Sequence, residues 1–185
     1  SRGNNSNNLD IEGNGDGVGN NDIDNKMVKG TISSNGVSPI IQGNESTLKS
    51  MQRLARTIVN LTPATHFILA NEEDGVLYRY GIWVDDDNKS GDNNTDDEDR
   101  SIIKLALDAA GSSRAGRVAL PSDHPASKLL PTSATRCILV QSIDIDGYGS
   151  DAGGKSCLII GSDKLLPAYT KNDLRWIGQL ALHQP

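Results

Sequence analysis

A chain of 185 residues has room for one domain with tails. Its net charge of −6 is unevenly placed: Asp85–Asp99 holds eight acidic residues and one Lys, and the remainder holds 16 acidic and 17 basic residues. A domain so close to neutral argues against nucleic-acid binding through a basic face. No stretch approaches the roughly 20 apolar residues of a spanning helix, so the expectation is a soluble chain, with membrane contact only through segments absent from it.

Residues 1–43 are rich in Asn, Gly, Ser and Asp and lack periodic apolar content. Such a segment buries too little surface to offset its ordering entropy, and a disordered tail is expected. Asn14-Gly-Asp-Gly17 faintly suggests a calcium loop, but the ligand ladder and closing Glu are missing.

The packed domain is expected over 45–183. Ser46 or Thr47 can cap a first helix, whose Leu48, Met51, Leu54, Ile58 and Leu61 recur every three to four residues. Pro63 ends it. Two strands follow, from His66 to Ala70 and from Val76 to Val84, joined by a turn with Asp74-Gly75. Strict alternation puts Val76, Tyr78, Tyr80 and Ile82 on one face, and Leu77, Arg79 and Trp83 on the other.

The acidic insertion at 85–99 reads as a solvated loop, because nothing in its spacing converges carboxylates on a cation. A second helix is expected from near Asp99, carrying Ile102, Ile103, Leu105, Ala106, Leu107 and Ala109 to Gly111. Arg117–Leu120 is a short strand, and Pro121–Pro131 an irregular loop. Cys137–Ile143 and Ser156–Gly161 are near-continuous apolar runs, as in strands covered on both faces. The Gly-rich segment between them lacks the order of a phosphate loop. Thr170-Lys-Asn-Asp173 is a capping box that opens a last helix, with Leu174, Ile177, Leu180 and Ala181 on its apolar face and Trp176 on its flank.

Cys137 and Cys157 each open an apolar run and read as buried thiols. A disulfide, a redox pair or a metal site are the alternatives, and CxxC spacing with a nearby His is lacking. No Ser/His/Asp arrangement or paired-carboxylate spacing stands out, so the chain is not expected to be an enzyme.

The element order resembles a GAF-like α+β domain: an antiparallel sheet with the N- and C-terminal helices packed on one face. Within that group the chain is most similar to the plastid and cyanobacterial family of B-type proteins for cofactor assembly of complex C. The Leu130-Pro131 loop end, the strands Ile138–Gln141 and Leu158–Gly161, and the Thr170/Asp173/Trp176 helix opening carry the resemblance. It covers about Leu54 to Ala181 and is specific from Val118 onward. Family members carry membrane helices before this domain, which these 185 residues do not include, and the acidic and Gly-rich insertions depart from the family.

The resemblance implies a non-enzymatic accessory factor for cytochrome bf complex assembly, specifically covalent haem attachment to the b-type cytochrome. It implies a chloroplast location on the stromal side of the thylakoid membrane. A paralogous assembly protein and the apocytochrome would be partners, and haem a transient cofactor. In a GAF-like frame the ligand pocket lies over the sheet face opposite the terminal helices. Tyr78, Tyr80, Arg79, His124 and Lys128 are the residues expected there, with sheet packing the alternative for the two tyrosines and a solvated loop position for His124. His66 and His183 are weaker candidates. The alternative function is a small-molecule sensor for a nucleotide or tetrapyrrole; bilin sensors use a pocket Cys, and both cysteines here sit on apolar strands instead.

Overall fold

The computed structural model describes residues 31–33, 38–83, 95–130, 135–143 and 155–182. Asn14–Gly17, most of the acidic and Gly-rich insertions, and His183 lie outside them. Among these described residues, six antiparallel strands form one sheet: β1 (Thr31–Ser33), β2 (Ala64–Asn71), β3 (Gly75–Trp83), β4 (Arg117–Pro121), β5 (Cys137–Ile143) and β6 (Ser156–Ser162). Their order is β1-β3-β2-β6-β5-β4. The helices are α1 (Pro39–Gln42), α2 (Glu45–Leu61), α3 (Thr95–Gly111) and α4 (Lys171–Leu182). A 3-10 helix, Pro125–Leu129, follows β4. The chain is therefore α+β, with a helical layer on each sheet face.

One layer is formed by α1, α2 and α4. Met51, Leu54 and Ile58 of α2, Ile177 of α4 and Ile41 of α1 pack on Phe67, Leu69, Leu139 and Ile160. The other layer is α3 with the 3-10 helix, where Ile103, Ala106, Ala110 and Leu129 cover Ile68, Ile138, Val140 and Ile159. Alternate residues of β5 and β6 thus serve two cores, which is why both strands read as unbroken apolar runs.

Two helices begin earlier than their sequences suggest. The cap of α2 is Asn44, whose Oδ1 accepts from Thr47 N at 3.2 Å. Thr47 itself faces inward and is buried. Helix α3 starts at Thr95, inside the expected acidic loop, because Asp96, Asp97 and Glu98 in the first turn suit the positive end of a helix. The expected tail also contributes structure: β1 pairs with β3, Thr31 opposite Trp83, and Ile41 is fully buried. The capping box of α4 forms as its sequence implies. Asp173 Oδ2 accepts from Thr170 N at 2.8 Å, and Thr170 Oγ1 accepts from Asp173 N at 3.2 Å.

Strand β3 breaks strict alternation. Leu69 pairs with Tyr78 and Ala70 with Val76, so Leu77 is the extra residue of a bulge. Leu77 and Tyr78 both reach the α2/α4 core, while Val76 turns to the α3 side. The turn before it is an Asx turn: Asn71 Oδ1 accepts from Glu73 N at 2.7 Å and from Asp74 N at 3.3 Å. Gly75 at φ 78° completes it.

Candidate functional site

The residues expected to line one pocket are divided between the two faces. Tyr78 and Tyr80 lie on the α2/α4 side, Tyr78 fully buried and Tyr80 nearly so. Phe67 meets Tyr78 edge-on, with centroids 6.3 Å apart. Burial in this apolar setting pushes the Tyr78 phenol up to about 12, despite the nearby Arg56. This corrects the placement of both tyrosines: they line the terminal-helix core, because β2 pairs Phe67 with Tyr80 and Leu69 with Tyr78 on that face.

Arg79 and Lys128 are on the α3 side, and both are held by carboxylates at the start of α3. Arg79 Nη2 is 3.7 Å from Asp99 Oδ2, and Lys128 Nζ donates to Glu98 Oε1 at 2.7 Å. The end of the acidic run therefore clamps α3 to β3 and to the 3-10 helix. His124 caps that 3-10 helix: its Nδ1 accepts from Ala126 N at 3.1 Å. The five residues do not converge on one cavity.

His66 occupies a tighter place than a strand-opening position suggests. It is buried and pairs with Gly81 on one side and Gly161 on the other. Its Nδ1 is 2.8 Å from Thr65 Oγ1. A Cβ at Gly161 would meet Leu130 Cδ1 at 3.1 Å and the His66 ring at 3.4 Å, so the bare strand makes room for the imidazole. Cys137 and Cys157 are free, buried and on opposite faces of the sheet, which excludes a bridge between them. Burial raises both thiols, Cys157 to about 12.

Two of the depressions among the described residues bear on a site. A polar cavity of about 290 Å³ lies between the β2–β3 turn and the start of α3, lined by Asp74, Arg79, Asp99 and Arg100. The other, about 280 Å³, lies between α2 and α4. Ile58 and Ile177 form its floor, and Leu61, Trp176 and Leu180 its walls. Leu61 is 66% exposed and Trp176 53% exposed, although the other described apolar residues of each helix are buried or partly buried. The apolar stripe predicts a buried Leu61. The helix ends at that residue, with the Thr62 cap donating to Ile58 O, and the groove opens beyond it. The one sequence signal is the line Arg53–Thr57–Leu61, spaced by four, which puts Leu61 below an exposed arginine.

Among the described residues no helix is long and apolar enough to cross a membrane, and no cluster of His, Cys, Asp and Glu could hold a metal ion. Comparison with family models, with curated proteins and with solved structures yields no match.

Proposed function

We propose that this chain is a non-enzymatic accessory factor that works by docking another protein in the α2–α4 groove. The observation that carries this reading is the pair Leu61 and Trp176, two large apolar side chains held open to solvent on either wall of one apolar groove. Exposed apolar side chains gathered around a groove are a surface held ready for a partner. The sheet faces themselves are filled by side chains, with Tyr78 and Tyr80 used as core.

The finer reading is a GAF-like domain that assists covalent haem attachment to the b-type cytochrome of the cytochrome bf complex, at the stromal side of the thylakoid membrane. The support is the motif order from Val118 to Ile177 and the placement of α2 and α4 on one sheet face. A paralogous assembly protein and the apocytochrome are the partners in that reading. The test is genetic. Deleting the gene abolishes haem attachment and cytochrome accumulation, and a Trp176→Ser copy fails to restore them. Unchanged accumulation after deletion overturns the assembly role, and full rescue by the Trp176→Ser/Leu61→Ser chain overturns the groove.

A second reading, a small-molecule sensor, is favoured by the polar cavity beside Arg79 and Arg100. It calls for saturable binding of a nucleotide or tetrapyrrole by the isolated chain. A haem titration followed by its Soret band, with Arg100→Ala in the cavity and His124→Ala outside it as controls, decides whether haem is that ligand.

A further inference from the structure

The two helical layers carry opposite charge. On the α2/α4 layer, Lys49, Arg53, Arg56, Lys171 and Arg175 are opposed by Glu45 and Asp173. On α3, Asp96, Asp97, Glu98, Asp99 and Asp108 are opposed by Arg100 and Lys104.

The positive charge on α2 is ordered. Lys49, Arg53 and Arg56 recur at four and three residues, so they form one stripe along the helix. Lys49 is shared with Glu45 at 2.7 Å. Arg53 and Arg56 are exposed and have no ion-pair partner among the described residues. A shallow surface of Lys49, Gln52, Arg53, Arg56 and Asn60 runs directly into the apolar groove, since Thr57 and Leu61 line both. The carboxylate in the groove lining, Asp173, is taken up by the Thr170 cap of α4. A largely apolar trough flanked by exposed guanidinium groups then matches one kind of ligand: a segment with apolar anchors on one side and carboxylates beside them.

We infer that the groove takes an acidic amphipathic segment of a partner protein, its apolar side chains between Leu61 and Trp176 and its carboxylates on Arg53 and Arg56. This rests on the docking reading and names the partner's chemistry. Arginine suits the role because its planar fork binds a carboxylate through two hydrogen bonds. The interaction is exposed, so charge selects the partner and speeds association while the apolar anchors supply most of the affinity.

The test uses the full 185-residue chain and two fluorescein-labelled helical peptides of about 18 residues with identical Leu and Phe anchors. One carries Glu on its polar side and the other Lys. The Glu peptide binds at least about 10-fold tighter at low salt, and the preference fades at roughly 0.5 M salt. Arg53→Glu/Arg56→Glu inverts the preference, and Leu61→Ser/Trp176→Ser weakens both peptides. Equal binding of the two peptides, still dependent on Leu61 and Trp176, overturns the acidic partner and leaves groove docking standing. Failure of both peptides to bind overturns the inference too, while the docking reading stands or falls on the complementation test above. Two other results overturn it: a concentration-dependent dimer lost in Trp176→Ser, which makes a second copy the occupant, or sedimentation with anionic vesicles lost in the same variant.

Discussion

The Arg117 guanidinium donates to the Leu174 carbonyl, so the edge strand β4 grips the helix that walls the groove. Gly178 lies one turn further along α4, and a Cβ there would sit 3.5 Å from Arg117 Nη2, an ordinary contact. Burial lowers the Arg117 pKa without discharging the group, so the bond is charge-assisted. Arg117→Ala should cost about 1.5 kcal/mol in chemical denaturation. Gly178→Ala should stabilise the chain by about 0.5–1 kcal/mol, because alanine is the better helix former and the space is there. A destabilised Gly178→Ala would mean that α4 already presses on Arg117.

Tyr78 carries a buried hydroxyl with no hydrogen-bond partner among the described residues. Such a group lost its water on folding and regained nothing. Tyr78→Phe should therefore raise stability by about 1 kcal/mol. A loss of stability on removing the oxygen, read from the denaturation midpoint, would contradict the core role assigned to this ring.

Gly81 sits at φ 133°, and a Cβ there would lie 2.3 Å from the Thr65 carbonyl oxygen. Backbone is the obstacle, so no side-chain rotation relieves it. Gly81→Ala should cost more than about 3 kcal/mol and loosen the β2–β3 pairing around His66. The measurement is thermal unfolding of the variant beside Gly161→Ala, where the nearest atom is a Leu130 methyl at 3.1 Å and the loss should be smaller.

The buried thiols and phenols set the response to alkali. Cys157 and Tyr78 are each raised to about 12 from ordinary values of 9.0 and 10.0, and Cys137 is raised as well. Their neutral forms are favoured in the fold. That stability is fully present below the unfolded-state values and is lost as pH climbs from about 9 towards 12. Denaturation midpoints should hold from about pH 7 to 8.5 and fall steadily beyond about 9. At neutral pH neither of the two cysteines should react with a thiol reagent until the chain is unfolded. One fast-reacting thiol in the native protein would sink this account.

The groove is hard to read from the chain for a specific reason. Leu61 continues the spacing of Leu54 and Ile58, and Trp176 adjoins Ile177, so helical periodicity assigns both to buried faces or their margins. Whether a marginal residue is covered depends on where the neighbouring helix lies. Here α4 leaves a trough beside α2, and the two side chains stay in water. Tyr78 and Tyr80 pose the converse case: their alternation is legible, but the face they serve is set by pairing with Phe67 and Leu69.

By itself the sequence determined the α+β class, the apolar runs of β5 and β6, the capping box of α4 and the burial of both cysteines. These depend on periodicity, on local hydrogen bonds and on apolar surface that must leave water. Only the tertiary structure decided which face Val76 and Leu77 serve, since the bulge at Leu77 turns Val76 away from the face it would share with Tyr78 and Tyr80 under strict alternation. It also decided that Asp99 and Glu98 clamp α3, that β1 and Ile41 join the core, and that charge separates between the two layers. Each of these joins residues far apart in the chain, and distance in space is what a linear pattern does not encode.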